Sequence, residues 1–368
     1  MPGRESDPIR RSIEVEYWVI DETGELVEPD GLTAAPGVER EFVAPLLEIK
    51  TTPCESSREL RTELCSRIRA TLDRADDVGQ KLVPLATPVH CEEIRDLPDD
   101  RTRVQAELIG ENFEYVRHCA GTHIHVEQQP GRAVEQLNAF IALDPALALV
   151  NSSPYYQGEV LAAGARSKLY RWLAYDDLEH QGRLWPYVDS RDEWDRRLER
   201  RYEEFVARAV DAGIDRQTVE ANFDPESAVW TPVQFRETFG TVEWRSPDTA
   251  IPSQVLQLAD HLATLTEWLR TAEVRTEGAI PDCSQEEVVL PEFHTVLDTV
   301  ETAIADGLTA DVRTYLDGMG FELDRYAPTA SELTDRKRLT HAAAREIRLE
   351  QARRLEEDVD QRISAAGD

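Results

Sequence analysis

Four short segments of the chain alternate apolar and polar residues, which is the pattern of a strand with one buried face. They read IEVEY (13–17), LLEIKT (46–51), THIHVEQ (122–128) and TVEWRS (241–246). Successive side chains of a strand point to opposite faces, so residues two positions apart share a face. Each segment therefore predicts one apolar face for the core and one face of charged or metal-capable groups.

The polar faces of these segments predict a concave site if the four strands lie in one sheet. Carboxylates with histidine offer mainly hard ligands, which suit Mg²⁺ or Mn²⁺ better than zinc, and magnesium commonly bridges to substrate phosphates. Arg245 would then face a phosphoryl group or a substrate carboxylate. The polar side chains are Glu14, Glu16, Glu48, Lys50, His123, His125, Glu127, Glu243 and Arg245.

Each of these pairs also has an ordinary structural explanation. Two glutamates such as Glu14 and Glu16 commonly mark a solvated strand face, and two histidines often satisfy ordinary hydrogen bonds. Glu243 and Arg245 would form a plain surface ion pair, which is worth little energetically. Because an antiparallel sheet with one wet face produces the same alternation, spacing alone leaves both interpretations open.

Apolar residues repeated at helical spacing predict several helices between and after the strands. In the first of these helices, Leu60, Leu64, Ile68 and Leu72 recur every fourth residue. The predicted helices cover 57–80, 132–150, 190–213 and 251–273, and the part from 289 to 368 is helical, with one long charged helix over 331–365.

Strands and helices are mixed without strict βαβ alternation, which favours an α+β fold with a largely antiparallel sheet. Strands are predicted over 13–21, 42–52 and 82–90, and a hairpin interrupted by Gly240 over 229–249. No linker or repeat divides the chain, so we expect residues 1–368 to form a single catalytic domain.

The net charge of −31, from 72 acidic and 41 basic residues in 368, argues against nucleic acid or an anionic membrane as a partner. An acidic excess with scarce lysine suits a protein that stays soluble in molar salt, and it predicts an extreme halophile. An acidic mesophilic protein is the alternative. The lysines are Lys50, Lys81, Lys168 and Lys337.

The N-terminal stretch MPGRESDPIRRS lacks the apolar segment of a secretory signal, and no run of about 18 apolar residues predicts a membrane helix. We therefore expect a cytoplasmic protein. An odd number of cysteines without a CxxC pair predicts free thiols. They are Cys54, Cys65, Cys91, Cys119 and Cys283. The chain also lacks GxxxxGK[ST], GxGxxG, GxSxG and HExxH, so any use of ATP would proceed without a P-loop.

An ordered set of motifs resembles the glutamate–cysteine ligase family, in particular the branch with archaeal glutamate–cysteine ligases and bacterial carboxylate–amine ligases. The motifs are IEVEYWVID, TGEL, LLEIKTTPCES, CAGTHIHVEQ, NSSPYYQG and VEWRSPDT, within residues 13–250. The C-terminal part, 289–368, carries no motif of the family. The resemblance implies a glutamine-synthetase-like catalytic domain, with a curved, mainly antiparallel sheet around ATP and magnesium and helices on one face.

The resemblance also implies roles for individual residues. His123 or His125 would contact metal or nucleotide, and Arg245 would stabilise phosphate. Arg166, in GARSK, falls near a further arginine of the family, although the residues around it match poorly. Cys119 precedes the histidine pair, where a small buried thiol is the simpler interpretation. The implied metal-binding residues are Glu14, Glu16, Glu48, His123 and Glu243.

The implied reaction is ATP-dependent synthesis of γ-glutamylcysteine from glutamate and cysteine through a γ-glutamyl phosphate, a step of thiol biosynthesis. The same motifs fit a carboxylate–amine ligase that uses another amine, because they report on ATP and metal rather than on the acceptor. Two other classes stay open: a metal-dependent hydrolase or oxygenase built on His123, His125 and a glutamate, and an acidic binding or scaffold protein. ATP dependence separates the ligases from the hydrolase or oxygenase. A scaffold protein would show no metal affinity and would keep its partner binding when Glu14, Glu48 or Glu243 is replaced by glutamine. The sequence leaves the oligomeric state open.

Overall fold

A computed structural model of the chain describes residues 7–175, 178–333 and 336–366. Over these residues the fold is α+β, with one large sheet and two small ones. The strands are β1 (Arg11–Asp21), β2 (Val38–Arg40), β3 (Leu46–Lys50), β4 (Gln80–Val83), β5 (Thr122–Glu127), β6 (Tyr155–Tyr156), β7 (Glu159–Val160), β8 (Val233–Arg236), β9 (Thr241–Trp244), β10 (Glu273–Thr276), β11 (Asp282–Cys283) and β12 (Glu287–Leu290).

The large sheet has the order β2-β3-β1-β5-β9-β8, with β4 paired to the other end of β1. Its described strand pairs are all antiparallel, which confirms the predicted α+β class with an antiparallel sheet. The register places polar residues of neighbouring strands opposite one another, so that they meet on one face. The facing pairs are Glu14–His123, Glu14–Lys50, Glu16–Glu48 and His125–Glu243.

Helices cover the other face of the large sheet. Those that pack directly on its strands include α1 (Ser57–Asp77), α4 (Ala133–Ala142), α9 (Pro252–Leu269) and α13 (His341–Ala366), and α13 also packs on α1. The helices are α1 (Ser57–Asp77), α2 (Asp100–Ile109), α3 (Phe113–Arg117), α4 (Ala133–Ala142), α5 (Ala165–Lys168), α6 (Arg191–Asp211), α7 (Arg216–Asn222), α8 (Pro225–Ala228), α9 (Pro252–Leu269), α10 (Phe293–Asp306), α11 (Ala310–Gly318), α12 (Ala330–Leu333) and α13 (His341–Ala366).

Alternation along β1 explains why its two faces differ. Ile13, Val15 and Tyr17 are fully buried in the core that the sheet shares with α1 and α9. Burial of each such side chain stabilises the fold by about 1.5–3 kcal/mol, so a slip of one residue would exchange apolar for charged groups and is strongly disfavoured. The glutamates between them are thereby held on the opposite face.

Two predicted helices end earlier than their periodicity suggests. The helix predicted over 57–80 stops at Asp77, because Gly79 adopts a left-handed backbone (φ +68°) and the chain turns into β4, which pairs with β1. The strand predicted over 82–90 therefore lies at 80–83. The helix predicted over 132–150 is α4 followed by a 3₁₀ helix, Asp144–Val150, which begins at Asp144-Pro145 and is bent by 52° from α4.

The C-terminal part also departs from the prediction. Residues after α9 form the small sheet β10–β12 rather than extending the helix to 273. The helix predicted over 331–365 is found as two helices, α12 (Ala330–Leu333) and α13 from His341 on, and residues 334–335 lie outside the described residues. The preceding segment is held elsewhere, since the Tyr155 hydroxyl donates to the carbonyl oxygen of Arg336 (2.6 Å) and the Leu339 amide donates to Gly158 (2.7 Å).

Two predictions about the whole chain can be compared with the fold. The five cysteines are free and buried, as expected. No single helix in the described part of the chain is long and apolar enough to span a membrane; α4 with the adjoining 3₁₀ helix meets the criterion of length and composition only as a bent pair.

Asp248 fastens the stretch after β9 to the rest of the fold. Its carboxylate accepts a hydrogen bond from the Ser152 amide (2.9 Å), and its carbonyl oxygen accepts one from the Thr122 hydroxyl (3.1 Å). Only 1% of Asp248 is exposed. Burial raises the pKa of its carboxyl to about 7, although Arg166 and the Ser152 amide act in the opposite direction. The NSSP turn and the segment after β9 therefore meet at a carboxyl that holds its proton unusually well.

Asp248→Asn is expected to remove a pH-dependent part of the stability. An unfolded aspartate has a pKa of about 3.9, so between that value and about 7 the folded state binds more protons than the unfolded one. The contribution of Asp248 to the free energy of unfolding therefore falls as pH rises through this interval. Denaturant titrations at pH 5 and pH 8 measure this effect. From pH 5 to pH 8, the free energy of unfolding of the variant should rise relative to that of the wild type by on the order of 2 kcal/mol.

The control substitution is Asp298→Asn, at an exposed position of α10. Its difference from the wild type in free energy of unfolding should be the same at pH 5 and pH 8. A wild-type to Asp248→Asn difference that is the same at both pH values would contradict the prediction.

Candidate functional site

The polar face of the large sheet forms the floor of a cavity of about 790 Å³. Its floor comes from β1, β3, β5 and β9, and its walls include α2, α8 and a π-helical turn, Leu169–Leu173, that follows α5. This volume lies within the range of sites that hold small molecules and cofactors. The eight residues predicted as site residues all line it: Glu14, Glu16, Glu48, His123, His125, Arg166, Glu243 and Arg245.

One group of ligand atoms joins three strands. Atoms of Glu14, His125 and Glu243 lie within 4.8 Å of one another. The Nε2 atom of His125 is 3.8 Å from a Glu14 oxygen and 3.6 Å from a Glu243 oxygen. His123 approaches the same carboxylates through Nδ1, at 3.4 Å from Glu14 and 3.5 Å from Glu243. Both imidazoles therefore lie between the same two carboxylates.

The Nε2 atom of His125 is a buried nitrogen with no hydrogen-bond partner among the residues the structure describes. The other ring nitrogen, Nδ1, lies 3.1 Å from the Thr241 hydroxyl. A hydrogen bond donated by Nδ1 would leave a bare lone pair on Nε2, directed at two carboxylates. A buried acceptor in that position is costly unless a cation satisfies it. In metal-binding histidines, a hydrogen bond at the other ring nitrogen fixes the tautomer in the same way as the Thr241 contact would here.

Two further groups extend the cluster along β1 and β3. One combines Glu14, Glu48 and His123, and the other combines Glu16, Glu41 and Glu48. Glu41 lies just after β2 and was missed by the sequence analysis, which began the second strand at residue 42. The only local signal was its alternation with Glu39, and Glu39 instead pairs with Lys50 at 3.0 Å.

The cluster is electrostatically divided. Burial raises the pKa of Glu14 and Glu243, but neighbours outweigh burial in both cases. The hydrogen bond with His123 and the nearby imidazole of His125 leave the pKa of Glu14 well below its usual range, and Arg245 with the two histidines lowers the pKa of Glu243 to about 2. Near Glu16 the balance reverses. Burial and neighbouring carboxylates raise the pKa of Glu41 to about 8 and that of Glu48 well above its usual value.

Lys50 offsets part of this negative charge, with Nζ 2.7 Å from Glu48. Burial alone would lower the pKa of Lys50, but Glu48 raises it above the usual value. The single ammonium of Lys50 does not balance the three carboxylates of Glu16, Glu41 and Glu48. Protons or a bound cation must therefore supply the remaining positive charge.

Glu243 is held by polar groups on both sides. The Gln234 amide donates to one carboxylate oxygen at 2.9 Å, and the Arg236 guanidinium lies 3.6 Å from that oxygen. The other oxygen lies 3.2 Å from Nε of Arg245. Gln234 and Arg236 come from β8, and the period-2 pattern of that strand was not used in the prediction.

Aromatic side chains complete the cavity wall. The Arg245 guanidinium lies 5.8 Å from the centroid of the Trp230 ring, and Tyr170 packs on the same ring at 4.2 Å between centroids. Phe239, at the tip of the β8–β9 hairpin, is 57% exposed and contacts the edge of His125. None of these three was predicted, because an aromatic residue in a loop is an ordinary core or surface residue until neighbouring elements are known.

Arg166 occupies the wall through a gap left by glycine. Its guanidinium donates to the carbonyl oxygens of Arg245 (3.3 Å) and Ser246 (3.1 Å). A Cβ on Gly121 would lie 2.1 Å from Nη2 of Arg166, so a side chain there would displace the guanidinium. Gly121 also donates its amide to Glu16 at 2.6 Å. Cys119, two residues before Gly121, is a buried thiol, and burial raises its pKa.

Glu127 lies outside the cluster although it follows the histidines at the same spacing. It forms an ion pair with Arg10 at the end of β5, and its pKa is lowered by that contact. Of the three polar side chains that the sequence places on this face, only His123 and His125 line the cavity. The strand continues past the cavity edge, where an ion pair at the surface suffices.

The donor set fits a divalent cation of the magnesium or manganese class. It is dominated by carboxylate oxygens, and an imidazole is a ligand that manganese accepts alongside oxygen. Thiolates are absent from the clusters in the described chain, which disfavours a soft-metal site.

Comparison with known proteins relates the whole chain to one family. The family model Glutamate-cysteine ligase family 2 (GCS2) matches residues 13–361. No curated protein matches the sequence. Among solved structures, a glutamate–cysteine ligase from Francisella tularensis in complex with AMP is similar, at 13% identity and a TM-score of 0.60, over 98% of this chain and 93% of that one.

A bifunctional glutathione synthetase from Pasteurella multocida is similar over 96% of this chain, at 15% identity and a TM-score of 0.55. This chain spans about half of that protein, 53% of its length. At these identities the structural likeness shows a shared fold.

Glu243→Gln is expected to weaken Mn²⁺ binding by about tenfold or more, because glutamine keeps the shape of the side chain but removes an anionic ligand. Isothermal titration calorimetry with Mn²⁺ measures the effect directly, without any assumption about catalysis. Glu127→Gln is the matched control: Glu127 lies on the neighbouring strand but pairs with Arg10 outside the cluster. Equal Mn²⁺ affinity in the wild type and Glu243→Gln, or equal losses in both variants, would contradict the prediction.

Proposed function

The chain belongs to glutamate–cysteine ligase family 2, a family of ATP-dependent carboxylate–amine ligases, and on that premise we propose that it joins the γ-carboxylate of L-glutamate to the amino group of L-cysteine. The observation that supports this most strongly is a cavity in which carboxylates and arginines meet two imidazoles, among them Glu14, Glu16, Glu41, Glu48, Glu243, His123, His125, Arg166 and Arg245. Such a cavity suits a polyphosphate with divalent cations and a carboxylate that receives a phosphoryl group.

The reaction requires activation of a poor electrophile. A glutamate γ-carboxylate oxygen attacks the γ-phosphorus of ATP, ADP leaves, and an acyl phosphate results. The amine nitrogen of cysteine then attacks the acyl carbon, inorganic phosphate leaves with the bonding electrons, and the nitrogen loses a proton. The chain needs to bind and orient ATP, glutamate and cysteine and to compensate the negative charge of the first two, and no covalent attachment to the protein is required.

The proposed cation ligands are Glu14, Glu16, Glu48, Glu243 and His123 or His125, with Glu41 added by the structure. When bound, Mg²⁺ or Mn²⁺ offsets the charge of the ATP phosphates. The protein's own contribution is to hold these carboxylates together before substrate arrives, through the register of β1, β3, β5 and β9.

Arg245 is proposed to stabilise the charge of the transferring phosphoryl group. Its Nε faces Glu243, and its guanidinium is packed beside Trp230, so its direction is restricted. A preorganised guanidinium acts more strongly than one in solution, because it needs no reorganisation at the moment of reaction. Arg166 adds a second positive charge in the same wall, behind Arg245.

The cavity offers no competent thiol nucleophile. Cys119 lines it, but burial raises the pKa of that thiol, so the thiolate that would attack a substrate is disfavoured. This agrees with a route in which the acyl phosphate, rather than an acyl-enzyme, carries the activated glutamate. We propose that residues 1–368 act as one catalytic unit, because the main apolar core includes residues from Ile9 to Val359.

The test is phosphate release from ATP with Mg²⁺ in molar KCl. Glutamate and cysteine are supplied separately, together, and with other amines in place of cysteine. Release that requires both amino acids, with a γ-glutamyl product detected by mass, supports the proposal. Phosphate release with glutamate and a different amine would mean that this amine, rather than cysteine, is the acceptor. Absence of ATP turnover with every pair would overturn the proposed function.

Arg245→Met is expected to lower kcat about 100-fold or more, since it removes a charged donor needed in the transition state. The matched control is Arg275→Met in β10, a surface arginine paired with Glu277 and Glu287, which should keep wild-type kcat. A kcat for Arg245→Met within threefold of wild type would remove Arg245 from this role.

A further inference from the structure

A buried ion pair lies directly behind the strand that carries Glu243 and Arg245. Asp144, at the start of the 3₁₀ helix after α4, accepts two hydrogen bonds from Arg171, at 2.7 and 3.2 Å. The side chains are 0% and 3% exposed, respectively. Neither residue lines the cavity, and nothing in the sequence pattern marked them, since each stands alone among apolar neighbours.

Asp144 and Arg171 form hydrogen bonds with the two residues that flank Arg245. The indole Nε1 of Trp244 donates to Asp144 at 2.9 Å. The Ser246 hydroxyl accepts from Arg171 at 2.6 Å and donates to Asp144. Because side chains alternate along the strand, Trp244 and Ser246 point to the back of the sheet while Arg245 points into the cavity.

A second contact holds the same backbone from the side. Arg166 donates to the carbonyl oxygens of Arg245 and Ser246. Arg166 lies in α5 and Arg171 in the π-helical turn that follows it, so one short segment reaches both sides of this strand end. The same turn presents Tyr170 to Trp230, the ring beside Arg245. Turns of this rare type occur frequently at functional sites.

Stability alone does not account for the pair. Desolvation of two charges is expensive, and replacing a buried ion pair by apolar residues of similar volume is often neutral or stabilising. What the four-residue network of Asp144, Arg171, Trp244 and Ser246 achieves, and apolar packing would not, is a directional restraint on the backbone at residue 245. A misplacement of about 1 Å at a reacting group can lower a rate about 100-fold.

We propose that Asp144 and Arg171 are positioning residues that hold Arg245 in place for phosphoryl transfer, by fixing Trp244 and Ser246 on either side of it. This inference rests on the proposed function, in which Arg245 contacts the transferring phosphoryl group. The network acts on kcat through Arg245 and has no direct contact with substrate.

Ser246→Ala and Trp244→Phe test the network without leaving an unpaired buried charge. Each removes one hydrogen bond to Asp144, and Ser246→Ala also removes the one from Arg171, while the Asp144–Arg171 contact stays. Both variants are expected to lower kcat about tenfold and to change the KM for ATP less than twofold. Ser246→Thr, which keeps the hydroxyl, should recover most of the activity. Thr266→Val is the control: it removes an equally buried hydroxyl bond, to Leu262 in α9.

The deciding measurement is a double-mutant cycle with Arg245→Met. If the network acts through Arg245, Ser246→Ala costs nothing further in kcat once Arg245 is gone. Additive losses, or a loss as large in Thr266→Val, would overturn the inference, because a general loss of stability would then explain the effect.

Amide hydrogen exchange separates this inference from the proposed function. Peptides covering 241–249 should exchange faster in Ser246→Ala than in the wild type, and those of α9 should be unchanged. Unchanged exchange at 241–249 would overturn the positioning role whatever the reaction. The wild type could also prove inactive as a ligase while Ser246→Ala still accelerates exchange at 241–249. That result would overturn the proposed function and the effect of the network on kcat, but the restraint on the backbone at residue 245 would stand.

Discussion

Mutual repulsion among the carboxylates on one face of the large sheet is the constraint around which this molecule is arranged. Glu14, Glu16, Glu41, Glu48 and Glu243 face a common cavity, and ordinary folding would separate them or expose them to water. The apolar residues of the same strands prevent this. To turn a glutamate of β1 away from the cavity would require turning Val15 or Tyr17 away from the core. Hydrophobic burial on one face thus holds repelling charges on the other.

The negative charge of these carboxylates is compensated differently in two parts of the cavity, and this difference affects how each part would bind a cation. Around Glu14 and Glu243, histidines and arginines keep the carboxylates ionised, as a cation ligand must be. Around Glu41 and Glu48, burial and close carboxylates favour a retained proton. A cation that enters the second region has to displace that proton, so binding there is coupled to proton release, whereas the first region is ready to bind. The fold therefore stores electrostatic energy that a cation and a polyphosphate together can relieve.

β9 shows how far positioning extends behind the visible site. Glu243 and Arg245 reach the cavity from this strand and the residue after it, but the same segment is held from the rear by Asp144 and Arg171 and from the side by Arg166. Glycine at 121 is what allows Arg166 to pass. The site is thus built in layers, in which ligand groups are carried by strands and the strands are restrained by buried polar contacts.

Local periodicity in the sequence was sufficient to place most of the cavity floor. Alternation along 13–17, 46–51, 122–127 and 241–246 depends only on strand geometry, so the shared faces of Glu14, Glu16, Glu48, His123, His125, Glu243 and Arg245 follow from neighbouring residues. Which of these atoms approach one another depends on strand order and register, and those depend on contacts between residues as far apart in the chain as His125 and Glu243.

The tertiary structure decided what no local pattern encodes. Glu41 joins the cluster because β2 pairs with β3, and Glu127 leaves it because Arg10 lies at the strand end. The long C-terminal helix is interrupted because Tyr155 and Gly158 bind the preceding backbone. Asp144 and Arg171 become a restraint only when α4, the π-helical turn and β9 converge. A sequence carries the spacing along one element, but the energies that select partners arise between elements, where burial removes water and makes each charge depend on its neighbours.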